Sequence, residues 1–310
     1  MQVVHGFDEP EAYRGGFVSI GNFDGVHRGH RRMLAALLAN AHQHKSRAVV
    51  FTFDPHPIVL LRPQHAPPPL ATTERKLELF EDCGIDTVIV YPTDDALLHL
   101  TASEFFTQIV QGKLAAKGLV EGPNFFFGKD RAGTIDVLRG FCGTTGLELE
   151  IIEPVIHNGL LVSSSTIRNL IRDGKVAEAG ELLGERYRIR GNVVRGAARG
   201  RTIGFPTANL AEIPTLLPPD GVYAGLCRKS EKVYTAGINI GSNPTFGESQ
   251  RKVEVHLDGF SGDLYGQLLE VEFLARLRDA RTFAGISELQ SQLRQDMEQS
   301  RALAAAAQSE

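Results

Sequence analysis

The stretch GNFDGVHRGH, residues 21–30, directly follows a short apolar run at Phe17–Ile20. Glycines recur in it at every fourth position, and two histidines lie three positions apart. These residues are Gly21, Gly25, Gly29, His27 and His30. A helix N-terminus presents free N–H groups and a partial positive charge that suit a phosphate, and glycines let the backbone approach it closely. The stretch therefore predicts a strand, a phosphate-binding turn and a helix, in that order.

The same pattern has a simpler interpretation, because a tight turn with two surface histidines would also combine glycines and imidazoles. A zinc site is not expected here, since no third ligand stands at metal-site spacing. Neither the P-loop spacing nor G-x-G-x-x-G occurs in the chain, so the two commonest phosphate-binding loops are excluded.

The first half of the chain alternates apolar, strand-like runs with helix-like stretches. The predicted strands are Phe17–Ile20, Ala48–Phe53, Thr87–Tyr91, Gly118–Glu121 and 147–152. The predicted helices are 31–42, 73–83 and 103–113, the last with Ser103 as N-cap. Continuous apolar strands separated by helices predict an α/β fold with a parallel sheet covered on both faces.

The pattern changes after Tyr187, where glycines and prolines become frequent and the apolar runs alternate with polar residues. The predicted strands there are 187–194, 221–225, 233–240, 253–257 and 268–273, followed by a helix at 287–306. Short alternating strands separated by turn residues are typical of an antiparallel barrel. We therefore predict two domains, 1–184 and 185–310, joined by the helical stretch 166–183.

Composition limits the function classes. The chain has 310 residues, 42% hydrophobic and 23% charged, which suits a globular protein of two domains. Its formal net charge of -4 argues against a nucleic-acid binder. No apolar run reaches the length of a membrane span, and no signal peptide is expected. The three cysteines form no C-x-x-C pair, so we expect reduced, buried thiols and a cytoplasmic protein. The oligomeric state does not follow from the sequence.

His27-Arg28-Gly29-His30 is similar to the H-x-G-H signature of the nucleotidylyltransferase superfamily, which has a Rossmann-like α/β domain. The longer string GNFDGVHRGH resembles the bacterial bifunctional riboflavin kinase/FAD synthetase family. The resemblance implies that His27 and His30 stabilise the transferring α-phosphate of ATP and the leaving pyrophosphate, where charge builds up. It implies ATP contacts from Gly21, Phe23, Gly25 and Gly29.

Three further stretches of the first half extend this resemblance. VSSSTIR at 162–168 offers hydroxyls and an arginine to phosphates, with Val162 and Ser165 where the family has Ile and Thr. The implied ATP-binding residues are Ser163, Ser164, Ser165, Arg168, Asn124 and Arg131, the last two from the stretch that begins GPNFFFG at 122–128. The implied flavin-binding residues are Asp54, His56 and Pro57, from TFDPHP at 52–57.

Each of these stretches also has a structural interpretation. The serines at 163–165 could simply cap a helix, the phenylalanines at 125–127 favour the core over ligand stacking, and TFDPHP could be a proline-fixed loop holding a structural histidine.

A second glycine-rich stretch, GNVVRGAARGRTIGFPTANL at 191–210, begins the barrel half. Such a loop can lie over phosphates without obstruction by side chains. Thr207 and Asn209 lie two residues apart, so on an extended segment their neutral oxygens point to the same side. Oxygens of this kind, with phosphate oxygens and water, coordinate Mg²⁺. A hairpin with ordinary turn residues is the other interpretation.

GRTIGFPTAN at 200–209 resembles the riboflavin kinase module, and the family's later motifs follow in order at 221–223, 239–246, 254–256 and 263–266. The resemblance implies that Glu254 takes the proton from the riboflavin 5′-hydroxyl; an outward-facing strand glutamate is the alternative. The implied ATP-binding residues are Gly196, Gly200, Arg201, Gly204, Pro206, Thr207 and Asn209, of which Thr207 and Asn209 also bind metal.

The resemblance covers nearly the whole chain and implies two ATP-dependent activities that both use Mg²⁺. The barrel half would phosphorylate riboflavin to FMN, and the α/β half would adenylylate FMN to FAD with release of pyrophosphate. Three alternatives remain: a single-activity enzyme with one half reduced to a flavin-binding or regulatory module, a non-catalytic flavin carrier, and, for the first half alone, a cytidylyltransferase-like enzyme.

Overall fold

A computed structural model describes residues 1–196, 199–242 and 251–308. The chain forms two compact units. The first unit comprises Met1–Pro67 and Ala71–Ser163, and the second comprises Pro68–Leu70 and Ser164–Glu310. The helical stretch predicted at 166–183 thus lies in the second unit. The predicted domain boundary at 184/185 stays a prediction.

The first unit is built on a six-stranded sheet whose paired strands are all parallel, as predicted. Its strands are β1 (Gln2–His5), β2 (Phe17–Ile20), β3 (Ala48–Phe53), β4 (Thr87–Tyr91), β5 (Gly118–Glu121) and β6 (Glu148–Ile151). Their order across the sheet is β1-β4-β3-β2-β5-β6. A separate hairpin pairs β7 (Ile156–His157) with β8 (Leu160–Leu161).

Helices cover both faces of this sheet. They are α1 (Arg28–Gln43), α2 (Pro57–Leu61), α3 (Thr73–Asp82), α4 (Asp95–His99), α5 (Ala102–Glu104), a π-helical segment (Phe105–Lys113) and α6 (Ile135–Thr145). Short 3₁₀ turns lie at Pro10–Ala12, Pro63–His65 and Lys129–Arg131. One apolar cluster includes Val18, Val49, Phe51, Phe106 and Leu138. The other includes Phe17, Val50, Val88, Leu34 and Leu79. Alternate side chains of the strands therefore enter two cores, which confirms the sheet covered on both faces.

Two helix starts differ from the sequence prediction. Helix α1 begins at Arg28, three residues before the predicted start, because the side chain of His27 caps it. The predicted N-cap Ser103 is wrong, since Thr101 caps α5 in a reciprocal capping box with Glu104. That box satisfies two backbone donors at once, which a single serine at 103 would not.

The second unit is a closed antiparallel barrel, also as predicted. Its strands are β9 (Arg188–Val194), β10 (Ala208–Ala211), β11 (Gly221–Lys229), β12 (Lys232–Gly241), β13 (Lys252–Leu257) and β14 (Leu268–Arg278). They close in the order β10-β13-β12-β11-β14-β9, with β9 paired to β10. Its helices are α7 (Ser164–Arg172), α8 (Val176–Leu183), α9 (Arg199–Thr202) and α10 (Ile286–Gln308). The helical stretch predicted at 166–183 is therefore two helices.

Helix α10 packs on the outside of the barrel. The buried carboxylate of Asp296 accepts hydrogen bonds from the guanidinium of Arg278 on β14, with Nη2 to Oδ2 at 2.8 Å. Gly237 on β12 lies directly beneath Met297, where an added Cβ would come within 2.9 Å of the sulfur. The helix thus covers part of the outer wall, and the wall around β10 and β13 carries the polar residues described below.

Candidate active sites

The order of the parallel strands explains where the first site lies. From β2 the chain continues to β3 and β4 on one side, and then returns to place β5 on the other side of β2. Ligands bind α/β sheets at such a switch point, beyond the carboxyl ends of the strands. The turn at 21–30 follows β2, and the loops with Asp54 and Asn124 follow its neighbours β3 and β5.

His27 is the N-cap of α1, and its Nδ1 accepts the backbone N–H of His30 at 3.3 Å. Because Nδ1 accepts this hydrogen bond, Nε2 is the ring nitrogen that carries a proton. The His27 and His30 rings stack with centroids 3.6 Å apart and 13° between their planes. A Cβ at Gly29 would come within 3.1 Å of the His27 ring, so only glycine leaves that ring undisturbed.

His30 is held as a neutral imidazole. Burial lowers its pKa well below the usual value, and the neighbouring His27 and Lys76 lower it further. The edge of its ring packs against Phe23, with centroids 5.2 Å apart. Within the described parts of the chain, no hydrogen-bond partner is present for its buried Nδ1. A buried ring nitrogen without a partner is a position at which a ligand can be bound.

Lys76 on α3 is a site residue that the sequence reasoning missed. Its side chain is only 7% exposed, and its Nζ donates to the carbonyl oxygen of Asn22 at 3.3 Å. Burial lowers its pKa, although the carboxylates of Asp24, Asp54 and Glu74 act in the opposite direction. The sequence did contain a sign of its burial, because Lys76 lies on the same face of α3 as the apolar residues Leu79 and Phe80.

The turn itself is tightly held. Gly21 N donates to Phe51 O at 3.0 Å, and Thr52 Oγ1 donates to the Asn22 carbonyl at 3.5 Å. Phe23 and Val26 have positive φ values of 48° and 38°. A β-branched residue in that region is an outlier, and such strain persists only where the surroundings fix the backbone.

Glu121, the last residue of β5, is a second residue that the sequence reasoning missed. It is fully buried, and its Oε1 accepts the Ile20 N–H at 2.8 Å. Burial raises the pKa of this carboxyl well above its usual value, although the hydrogen bond from Ile20 acts against that shift. Burial therefore favours the neutral form of this carboxyl, and its hydrogen bond to Ile20 links the ends of β2 and β5.

The segment at 54–57 connects β3 to α2. Asp54 N donates to Tyr91 O at 3.0 Å, and His56 caps α2 by accepting the Ile58 N–H on Nδ1 at 3.0 Å. Pro57 is the first residue of that helix. His56 thus has the structural role that the sequence left open for it, and its predicted flavin contact stays a prediction.

The phenylalanines of the loop after β5 differ in how exposed their side chains are. Phe127 is buried, whereas Phe126 is 42% exposed and lies under the Arg131 guanidinium, 4.3 Å from ring centroid to Cζ. The preference for core packing therefore does not hold for Phe126. Asn124 and Arg131 are both exposed, and their predicted ATP contacts stay predictions.

The motif at 162–168 begins beside the histidines. A Cβ at Gly29 would lie 3.6 Å from the carbonyl oxygen of Val162, so the two motifs of the first unit meet there. Ser163 is the last residue of the first unit. Ser164, Ser165 and Arg168 belong to α7 of the second unit.

Within the second unit, Arg168 is buried and its Nε donates to Pro68 O at 3.0 Å. One edge of its guanidinium therefore holds the backbone at Pro68. The predicted roles of the serines and of Arg168 stay predictions.

The barrel residues form a row across three strands. In the ladder, Glu254 on β13 is opposite Asn209 on β10 and opposite Asn239 on β12. Opposed residues point to the same face of a sheet, and here their neighbours Val253 and Val255 fill the barrel interior. The row therefore lies on the outer wall. Asn239 was not among the predicted site residues, and the register of the ladder is what identifies it.

Gly196 lies against this row, and Gly200 packs on the backbone that leads to it. A Cβ at Gly196 would collide with the side-chain amide of Asn209, and a Cβ at Gly200 would collide with Phe205 O. His256, two residues after Glu254, donates from Nδ1 to Pro206 O at 2.8 Å and holds the start of β10. Arg201 and Gly204 are exposed. Residues 243–246 of the predicted motif at 239–246 lie outside the described residues.

Over the described ranges, no helix is long and apolar enough to cross a membrane. The same part of the chain holds no group of three or more His, Cys, Asp or Glu side chains arranged for a metal ion. Cys142 and Cys227 are buried, Cys83 is half-buried, and all three are free thiols.

The first unit is a parallel α/β sheet with an H-x-G-H turn at its switch point, and the second is a closed barrel with a row of Asn209, Glu254 and Asn239 on its wall. Together they define a two-module class of phosphoryl- and nucleotidyl-transferring proteins. The FAD synthetase family model matches residues 9–166, and the riboflavin kinase family model matches residues 183–304. The chain belongs to the bifunctional riboflavin kinase/FMN adenylyltransferase family.

Relatives of that name match over most of their length. The Escherichia coli K12 protein is 35% identical over 90% of both chains, and the Pseudomonas fluorescens protein is 36% identical over 98% of both. A crystal structure named as a macrolide-efflux protein from Streptococcus pneumoniae is 32% identical, covers 97% of this chain and 99% of that one, and superposes with a TM-score of 0.85. That name describes the other protein, and the likeness shows that the two chains share their fold.

Proposed function

We propose that this chain phosphorylates riboflavin to FMN in its barrel unit and adenylylates FMN to FAD in its α/β unit, with ATP as co-substrate of both reactions. The observation that carries this proposal is that each unit has its own separate constellation of residues. The stacked histidines lie at the switch point of the parallel sheet, and the row of Asn209, Glu254 and Asn239 lies on the barrel wall. The order of the two family models along the chain supports the same assignment.

In the adenylyl transfer, an oxygen of the FMN phosphate attacks the α-phosphorus of ATP, and pyrophosphate leaves. Negative charge increases at the α-phosphoryl group and the leaving oxygen, so fixed donors there lower the barrier. The Nε2–H of His27 and the ring of His30 have this role. The neutral state of His30 means that it acts as a hydrogen-bonding group and not as a fixed charge.

In the phosphorylation of riboflavin, Glu254 takes the proton of the flavin 5′-hydroxyl as that oxygen attacks the γ-phosphorus of ATP. Gly196, Gly200 and Gly204 lie over the triphosphate, because a glycine has no side chain that would keep the backbone away from it. His256 fixes the segment before β10 that contains Thr207, through its hydrogen bond to Pro206.

The donor set suits Mg²⁺, because the hydroxyl of Thr207, directly before β10, and the amide oxygen of Asn209, two residues further on, are hard, neutral oxygens. These two residues would hold the ion together with phosphate oxygens. When bound, Mg²⁺ neutralises the charge of the triphosphate. The protein's small-molecule partners are riboflavin, FMN, FAD and ATP. The three free thiols support a cytoplasmic location.

The test is a crossed pair of variants in the full chain, assayed for FMN made from riboflavin and for FAD made from supplied FMN. Glu254→Gln should lower FMN formation by about 10²–10⁴-fold, the usual contribution of a general base, and spare FAD formation. His27→Asn keeps a capping oxygen for α1 but removes the imidazole. We expect it to lower the turnover of FAD formation by about 10²–10³-fold and to spare FMN formation.

Two exposed residues provide matched controls: Glu231→Gln in a barrel turn, and His42→Gln at the other end of α1. Both should keep both activities. Absence of either activity in the wild-type protein would contradict the bifunctional proposal and favour the single-activity alternative. Equal loss of both activities in each variant would contradict the separation of the sites.

A further inference from the structure

Lys76 is a buried cation that the two reactions, as described above, do not use. It is 7% exposed, and in the described part of the molecule its ammonium has one hydrogen-bond acceptor, the carbonyl oxygen of Asn22 at 3.3 Å. No carboxylate of the described residues lies within ion-pair distance of it. An ammonium has three N–H donors, and a buried charge is costly unless it is paired. The side chain is therefore placed to receive an anion.

The position of Lys76 identifies that anion. Asn22 belongs to the turn between β2 and α1, so the ammonium is fixed to the backbone that carries His27 and His30. It is also within electrostatic range of Asp54, which follows β3. Lys76 is thus close both to the turn assigned to ATP and to the segment assigned to the flavin.

We propose that the ammonium of Lys76 binds the phosphate of FMN beside the α-phosphate of ATP and allows these two anions to approach each other. This inference rests on the proposed adenylyl transfer in the α/β unit. Lys76 is then a catalytic residue, because it touches the attacking group.

The chemistry requires such a cation. An oxygen of the FMN phosphate forms the new bond to the α-phosphorus, the bond from that phosphorus to the bridging oxygen breaks, and pyrophosphate leaves with the electron pair. The attacking phosphate is already deprotonated at neutral pH, so no base is needed. The obstacle is the repulsion between two anions, and a fixed positive charge in a site of low dielectric constant reduces it strongly.

The experiment replaces Lys76 by methionine, which keeps an unbranched chain and removes the charge. In the full chain, Lys76→Met should lower the turnover of FAD synthesis from FMN by about 10²–10³-fold, as for loss of one well-placed donor. FMN synthesis from riboflavin by the same purified protein should be unchanged. The matched control is Lys117→Met, an exposed lysine directly before the amino end of β5, which should keep both activities.

A pH profile separates this role from a structural one. The titratable groups around the ammonium are the carboxylates of Asp24, Asp54 and Glu74 and the imidazole of His30, which stacks on His27. Burial lowers the pKa of Lys76 from 10.5, so its ammonium loses its charge at a lower pH than that of an exposed lysine. Wild-type FAD synthesis should therefore decline towards pH 10, and Lys76→Arg, which stays charged, should decline less.

The outcomes are distinct. FAD synthesis by Lys76→Met within threefold of wild type would overturn the proposal. If Lys76→Met does not fold and loses both activities, the pH profiles of FAD synthesis decide. A wild-type profile that stays flat towards pH 10 overturns the proposal. A wild-type decline towards pH 10 that is absent from Lys76→Arg supports it. A wild-type protein that makes no FAD from FMN and ATP would contradict the proposed function itself, before Lys76 is tested.

Discussion

At the scale of single residues, the α/β site is defined by groups whose charge differs from what their type suggests. His30 is neutral at a pH where an exposed histidine is partly charged, and Glu121 is neutral where an exposed glutamate is ionised. In both cases burial is the largest cause, because a low dielectric constant penalises the charged form. The site thus combines a neutral imidazole, His30, with a nearby buried cation, Lys76.

Glu121 gives a prediction for the pH dependence of stability. Its pKa is raised in the folded protein, so its contribution to stability is complete below the unfolded pKa of about 4.3 and declines as pH rises towards the folded value. Glu121→Gln keeps an oxygen for the Ile20 N–H and cannot ionise. We expect the variant to gain stability relative to wild type as pH rises from 5 to 8.

The measurement is the urea midpoint of the first unit at pH 5, 6, 7 and 8 for both proteins. A difference between the variant and the wild type that does not change with pH would contradict a neutral, buried carboxyl at this position.

At the scale of elements, two sites depend on how closely a loop can approach a strand. Gly29 leaves room for the stacked ring of His27, and Gly196 leaves room for the amide of Asn209. The sequence predicts both glycine-rich stretches and explains their glycines by room for phosphates. The structure adds that both glycines also make room for a protein side chain of the site.

Gly196→Ala tests this contact in the barrel. The added methyl group would displace the Asn209 amide, and displacement of a site residue by about 1 Å can cost roughly 10²-fold in rate. We expect FMN synthesis to fall by about that factor while FAD synthesis from supplied FMN is unchanged. Gly285→Ala, at a position with open space around it, is the control. Normal FMN synthesis by Gly196→Ala would show that Asn209 tolerates displacement.

At the scale of the whole molecule, the helices α7 and α8 belong to the barrel unit. Their buried side chains are Ile167, Arg168, Leu170, Ile171, Val176, Ala179, Leu182 and Leu183. Helix α8 packs on β14. A fragment that begins at 185 lacks this packing.

Two fragments test the contribution of these helices. We expect 164–310 to make FMN but no FAD, and to be more stable than 185–310 by at least about 3 kcal/mol, because each fully buried Leu or Ile contributes about 1.5–3 kcal/mol. Denaturant unfolding of both fragments measures the difference. Equal stability would show that the barrel does not need α7 and α8, and a folded 164–310 fragment without kinase activity would contradict the assignment of that reaction to the barrel.

The sequence by itself determined the local features of this protein. The apolar periods predicted the parallel sheet and the barrel, since side-chain alternation in strands and helices is set by local geometry. The glycine and histidine spacing indicated the turn after β2, and the order of motifs indicated the family. It failed at helix ends such as Thr101, where several cap residues compete within a few positions.

Only the tertiary structure determined which polar groups become buried and what they meet. Lys76 contacts a carbonyl group 54 residues away, and Glu121 accepts a hydrogen bond from a residue 101 positions away. The row of Asn209, Glu254 and Asn239 depends on the register of three strands. Burial and pKa depend on these long-range contacts, because the dielectric surroundings of a group are formed by whichever segments pack around it. No local pattern in the sequence contains that information.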